Sequence, residues 1–140
     1  MYSRGRDSDS GVMPSMVRPT KPLEGLRILV VEDNFLAAEV VRDALERSGC
    51  TVVGPVGRVA DGLHLAEQEK LDGAVLDINL NGDRCFPIAH ALANRGVPFV
   101  FLTGYDSSTV IPAELRATPR LAKPVLEQQL IGVLGDLIER

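Results

Sequence analysis

The chain has 140 residues, 45% of them hydrophobic, and a formal net charge of −4. That size and apolar content suit one domain with its own core, and the acidic balance argues against direct binding to nucleic acid, whose phosphates are held by clustered Lys and Arg. No apolar run is long enough to cross a bilayer and the first residues lack a signal-peptide core, so the protein reads as cytoplasmic, with no membrane role.

Residues 1–24 are rich in Ser, Arg, Asp, Gly and Pro without sustained periodicity, and read as a disordered leader. Their charges sum to +1, leaving −5 for a folded body expected over residues 25–140. A solvated tail is the simplest reading, with a basic docking arm as the alternative. Cys50 and Cys85 show neither metal-site spacing nor the density of a disulfide scaffold, and no role is assigned to them.

The body alternates strand and helix signals. Arg27–Val31 is a short β-branched run that stops at Glu32-Asp33-Asn34, and Leu36, Val40, Val41, Ala44 and Leu45 then recur at helical spacing up to Ser48. Asn34 or Asp33 suits the N-cap of that helix and Gly49 its end. Thr51–Gly54 is a second strand, and Val59, Leu63 and Ala66 give residues 58–69 one apolar helical face. Gly73–Asp77 is an apolar run that ends on a carboxylate; it is followed by a helix over Pro87–Ala93, closed by Asn94-Arg95-Gly96. Val97–Leu102 is a fourth strand, with Pro98 near its start where a missing donor matters least. It ends at Thr103-Gly104-Tyr105-Asp106. A short helix is expected from Pro112 to Arg116, then a fifth strand over Arg120–Ala122, then Lys123-Pro124 and a closing helix over residues 125–140. Five strands and five helices in short βα units predict an α/β, doubly wound five-stranded parallel sheet with every strand mouth on one edge.

That edge gathers the chemistry. Glu32 and Asp33 follow the first strand, Asp77 ends the third, Thr103 follows the fourth and Lys123 the fifth. Singly each has an ordinary explanation: a helix cap, an end-of-strand acid, a turn residue, a surface charge. Together, three carboxylates at one mouth repel unless a hard divalent cation takes their oxygens as ligands. Mg²⁺ fits, because it needs only one or two carboxylates and completes its shell with water and phosphate oxygens. Asp77 could then accept a phosphoryl group, with the Lys123 ammonium and the Thr103 hydroxyl facing the charge that spreads over the equatorial oxygens.

Val30-Val-Glu-Asp33, Val75-Leu-Asp77, Leu102-Thr-Gly104 and Lys123-Pro124, in this order, resemble the receiver domain of bacterial two-component response regulators, which have a CheY-like, flavodoxin-like (βα)5 fold. The resemblance covers residues 25–140 and implies a single-domain response regulator, not an enzyme. It makes Asp77 the phosphoacceptor, served by a sensor histidine kinase or a histidine phosphotransfer protein. It assigns Mg²⁺ to Asp33, Asp77 and the backbone carbonyl of Asn79, with Glu32 acting through water, and it makes Thr103 the switch residue and Lys123 its partner at the phosphoryl group. A cis bond is expected at Lys123-Pro124. Output passes through a downstream protein, through a phosphate shuttle or sink, or through a homodimer.

Two departures stand out. Receivers usually carry Tyr or Phe two residues before the lysine, whereas this chain has Leu121. Pro98–Tyr105 instead is similar to the PFxFATGY motif of an alphaproteobacterial receiver group, with Leu102 in place of Ala, which makes Tyr105 a candidate switch aromatic; an exposed loop tyrosine is the alternative. Two other function classes compete. Hydrolases of the haloacid dehalogenase type place a second Asp two residues after the nucleophile, but here that residue is Asn79, which cannot relay a proton. A phosphorylation-independent interaction module would need none of these side chains.

Overall fold

Strand β1 (Arg27–Val31) shows why the apolar runs are continuous and not alternating. Leu29 and Val31 enter one hydrophobic cluster, while Ile28 and Val30 enter another on the opposite face. A strand covered on both sides must be apolar at every position, as parallel strands in α/β sheets are. The computed structural model describes residues 23–104 and 111–138. After β1 come α1 (Phe35–Arg47), β2 (Thr51–Val56), α2 (Val59–Gln68), β3 (Gly73–Asp77), β4 (Asn79–Leu80), β5 (Asp83–Arg84), α3 (Phe86–Asn94), β6 (Phe99–Thr103), a 3₁₀ turn (Ala113–Leu115), β7 (Arg120–Ala122) and α4 (Glu127–Ile138).

The main sheet has five parallel strands, as the sequence predicted, and their order is β2-β1-β3-β6-β7. One cluster joins it to α2 and α3 through Ala66, Ile88, Ala89 and Leu92. The other joins it to α1 and α4 through Val41, Leu45, Leu130 and Leu134. Fully burying a side chain of this kind contributes about 1.5–3 kcal/mol, so these two layers, more than helix propensity, fix the helices in place. No helix among the described residues is long and apolar enough to cross a membrane.

Four details differ from the sequence reading. The body starts before Gly25: Leu23 is 2% exposed and its N–H donates to the Ser48 carbonyl at 3.1 Å. β2 runs on through a cis Gly54-Pro55 bond to Val56, with Gly54 at φ +99°, where a side chain would strike the Val30 carbonyl oxygen at 2.9 Å. The segment expected as a helix over Pro112–Arg116 is only the turn Ala113–Leu115, so the described residues hold four α-helices. Thr118 precedes Pro119, which disfavours a helical conformation there and leaves too few residues to sustain an α-helix. Finally, β4 and β5 form a small antiparallel hairpin that strand-length patterns do not reveal.

α4 carries Gly132 and Gly135 in its interior, each costing about 1 kcal/mol against Ala. A Cβ on either would meet nothing within 4 Å among the described residues.

Candidate active site

Register brings the site together. Val31 pairs with Leu76, so Glu32 and Asp77 stand level at the ends of β1 and β3; Asp77 pairs with Leu102, and Thr103 pairs with Ala122, which places Lys123 next in line. The extension of β2 helps, because the Val56 carbonyl accepts the Glu32 N–H at 2.9 Å and holds the chain as it leaves β1.

Glu32 and Asp77 are each 3% exposed, an unusual depth for carboxylates. Asp33 is half-buried, and one carboxylate oxygen from each of the three acids lies within 4.8 Å of the others. Lys123 Nζ donates to Asp77 Oδ2 at 2.9 Å. It lies equally close, 2.9 Å, to Glu32 Oε1, but without hydrogen-bond alignment, so that oxygen is buried with no hydrogen-bond partner among the described residues. The other Glu32 oxygen, Oε2, accepts the Asn34 N–H at 2.9 Å.

One ammonium therefore serves two buried acids and leaves the cluster short of positive charge. Burial pushes Glu32 up to about 7, against the nearby Lys123 ammonium and the hydrogen bond from the Asn34 N–H, and the neighbouring Asp77 adds to the rise. Burial works to lower the Lys123 pKa, but its hydrogen bond to Asp77 and its closeness to the Glu32 and Asp77 charges outweigh that, so it is raised and the ammonium stays charged. The donor set is all hard oxygen, which suits Mg²⁺ better than a thiolate- or imidazole-seeking metal.

The acids are fixed by backbone. Asn79 N–H donates to Asp77 Oδ1 at 3.2 Å, and Asn81 N–H donates to Asp33 Oδ2 at 3.1 Å. The second bond comes from the β4–β5 hairpin, whose turn residues Asn81 and Gly82 sit at φ +53° and +93°. An Asn-Gly pair is the standard short-hairpin signal, and it was the one sequence feature that could have disclosed this contact. The Asn79 side-chain oxygen is used within the hairpin, accepting from Gly82 N–H at 3.0 Å and Arg84 Nη1 at 3.2 Å.

Of the residues singled out in the sequence, Glu32, Asp33, Asp77 and Lys123 converge as described. Thr103 lies at the same edge but its hydroxyl points to the Leu121 carbonyl at 3.5 Å, and its own carbonyl accepts the Lys123 N–H at 2.8 Å. Lys123-Pro124 is cis. Leu121 is buried, and Tyr105 lies outside the described residues. Of the two candidate caps for α1, Asn34 serves, accepting the Ala37 N–H at 2.8 Å, which leaves Asp33 for the cluster. Cys50 and Cys85 are buried free thiols, pushed by burial up to about 11 and about 12.

Beside the cluster, Leu36 and Val40 of α1 join Gly104, Lys123, Pro124 and Val125 around a cavity of about 560 Å³. Phe35 and Leu36 are each 73% exposed, so the acidic mouth opens beside an apolar rim.

Residues 28–134 match the family model for the response regulator receiver domain. The chain is 33% identical over 112 residues to the sensory transduction protein LytT of Bacillus cereus, covering 78% of this chain and 46% of that protein. It spans less than half the length of LytT. Among solved structures it is similar to SdrG from Sphingomonas melonis Fr1, at 39% identity and a TM-score of 0.72, covering 84% of this chain and 98% of SdrG. A BeF3-activated conformation of SdrG matches at 40% identity and a TM-score of 0.67, covering 81% and 98% of the two chains. The receiver domain of sensor histidine kinase PA1611 from Pseudomonas aeruginosa PAO1, solved with a magnesium ion coordinated in its active site cleft, shares the fold at 24% identity and a TM-score of 0.68, covering 83% and 99%.

Proposed function

The chain belongs to the response regulator receiver domain family, and from that premise we propose that Asp77 accepts a phosphoryl group from a histidine kinase or a histidine phosphotransfer protein. The observation that carries this reading is a carboxylate 3% exposed at a strand mouth, held by one ammonium at 2.9 Å beside two further acids. An Asp77 oxygen attacks phosphorus as the bond from phosphorus to the donor nitrogen or oxygen breaks. The leaving group takes that electron pair, and the product is an acyl phosphate on Asp77.

The chain's own groups orient this step. Asn79 N–H fixes one oxygen of Asp77, and Lys123 remains protonated to face the developing charge. The cluster fits Mg²⁺ because Glu32 Oε1 is a buried oxygen without a hydrogen-bond partner among the described residues and one lysine serves two acids. Asp33, Asp77 and the Asn79 carbonyl would hold the ion, with Glu32 acting through water. When bound, it neutralises charge on the transferring oxygens. Thr103 turns its hydroxyl from the Leu121 carbonyl to the new phosphoryl oxygens, and Tyr105 follows that movement. The apolar rim around Leu36 and Val40 receives the donor protein.

Receiver domains are signalling modules, and the Asn79 amide, engaged in the hairpin, offers no carboxylate to activate water for turnover. The acyl phosphate therefore persists and shifts an existing conformational equilibrium that a downstream protein reads. The test is intact mass after incubation with acetyl phosphate. One phosphoryl adduct is expected with Mg²⁺, none in EDTA and none in Asp77→Asn. Absence of the adduct with acetyl phosphate and with kinases alike would overturn the reading.

A further inference from the structure

We propose that the groove between the C-terminal end of α1 and α4 is a docking channel for the chain's own residues 11–22. The groove has a volume of about 890 Å³, and its walls include Leu23, Leu26, Ile131, Gly132, Gly135 and Ile138. Two observations make it a place of close approach. Gly132 and Gly135 weaken the interior of α4, yet nothing among the described residues comes within 4 Å of where their Cβ atoms would be. Packing within the described fold therefore does not require them, whereas a segment lying flat on the helix does.

The occupant follows from where the remaining chain begins. Leu23 is itself a wall of the groove, anchored by its N–H to the Ser48 carbonyl at 3.1 Å, so the preceding residues enter at the groove. α4 has 12 residues and is about 18 Å long at 1.5 Å per residue, a span that about six extended residues cover. Val12, Met13, Met16 and Val17 are therefore within reach. Unbranched methionines adapt well to a shallow apolar channel. Charge favours the same occupant in part: residues 1–22 carry +2 against −6 for the rest of the chain, and Asp136 lines the groove, whereas Glu127 is already paired with Arg47 of the same wall at 2.6 Å. A tethered segment has an effective concentration of the order of millimolar, so modest contacts suffice to fill the groove. Once docked, it covers the helix that follows Lys123, and any partner for that face must displace it.

The test uses the full-length chain and thermal unfolding. Gly132→Ala is made in the native background and in a chain that also carries Val12→Ser, Met13→Ser, Met16→Ser and Val17→Ser. The docked segment leaves no room for the added methyl, so the midpoint falls in the native background. In the serine background the groove is empty, and the same change raises the midpoint by about 3 °C. A rise in both backgrounds would show an open groove, and a fall in both would assign Gly132 to something other than these residues. A midpoint that depends on protein concentration in the native background only would make the occupant a second copy. Each of these outcomes overturns the proposal. A second readout is the pair of Gly132 and Gly135 amide resonances, which shift on the serine substitutions if the segment docks and stay fixed if it does not.

Discussion

Strands β1 and β3 lie side by side, and at each end of the pair one cation stands against two carboxylates, with a third, Asp33, beside those at the finish. At the start, Arg27 donates its main-chain N–H to Asp72 Oδ2 at 2.8 Å and its guanidinium to Glu69 Oε1 at 2.9 Å. At the finish, Lys123 Nζ stands 2.9 Å from both Glu32 and Asp77. Residue types and distances barely differ, but the surroundings do. The Arg27 and Glu69 side chains are 35% and 40% exposed, so water screens their attraction and the pair only tethers the sheet's edge. Glu32 and Asp77 sit out of water, where each charge depends on its neighbours, and the proton affinity of Glu32 rises. Burial, more than composition, separates the acidic cluster at the mouth from an ordinary surface one.

The largest expected effect comes from removing the buried cation. Lys123→Met leaves two acids facing each other without a counter-charge, and breaking a fully buried pair costs about 3–5 kcal/mol. Because the Lys123 side chain is 24% exposed, water recovers part of this, and the expected loss is about 2–4 kcal/mol in urea unfolding at pH 8 with EDTA. Adding Mg²⁺ restores positive charge and shrinks the loss. A loss below that of the exposed Arg27 would abolish the contrast between the two ends.

The next effect is a pH slope. Burial holds Glu32 up to about 7, above its ordinary value of 4.5, so the folded state binds this proton more tightly than the unfolded chain. Its contribution to stability is complete below about 4.5 and is lost as pH rises through about 7. Lys123 is raised from an already basic value, so its contribution does not change in this window. Metal-free protein should therefore lose on the order of 1–3 kcal/mol between about pH 5 and pH 8. Glu32→Gln should flatten that slope. A wild-type profile already flat over this range in EDTA would show that Glu32 is solvated like Glu69.

The same contrast explains what the sequence disclosed. The three central strands were legible because a strand covered on both faces reads as a near-continuous apolar run, and β1, β3 and β6 do; the edge strands β2 and β7 gave weaker signals because part of each is exposed. The cluster was legible because acids that terminate such runs fall on one edge once the strands are parallel. Three things were not. The β4–β5 hairpin is two residues per strand, too short for any period, and only Asn81-Gly82 marked it. The true end of β2 depends on Gly54 meeting the Val30 carbonyl, a tertiary contact that made a proline look like a stop. The weak segment around Pro112 reads as a helix from its first residues alone, since the limit on it comes from Pro119 at the far end.

The smallest effect belongs to Arg27→Ala, and its size tests whether exposure alone explains the difference. The substitution removes the guanidinium bonds to Glu69 Oε1 and to the Lys70 carbonyl, the latter at 2.7 Å, but it keeps the main-chain bond to Asp72 because that donor is the backbone N–H. What is lost is therefore one screened ion pair and one exposed hydrogen bond, about 0.5–1 kcal/mol in urea unfolding. The ion-pair share should vanish near 1 M salt, where the Debye length falls to about 3 Å. The Lys123→Met loss should survive the same salt, since ions do not penetrate to Glu32 and Asp77. If instead both losses shrank together as salt rose, the two ends of the sheet would share one electrostatic regime, and the acidity of the mouth would have to be explained by residue count and not by burial.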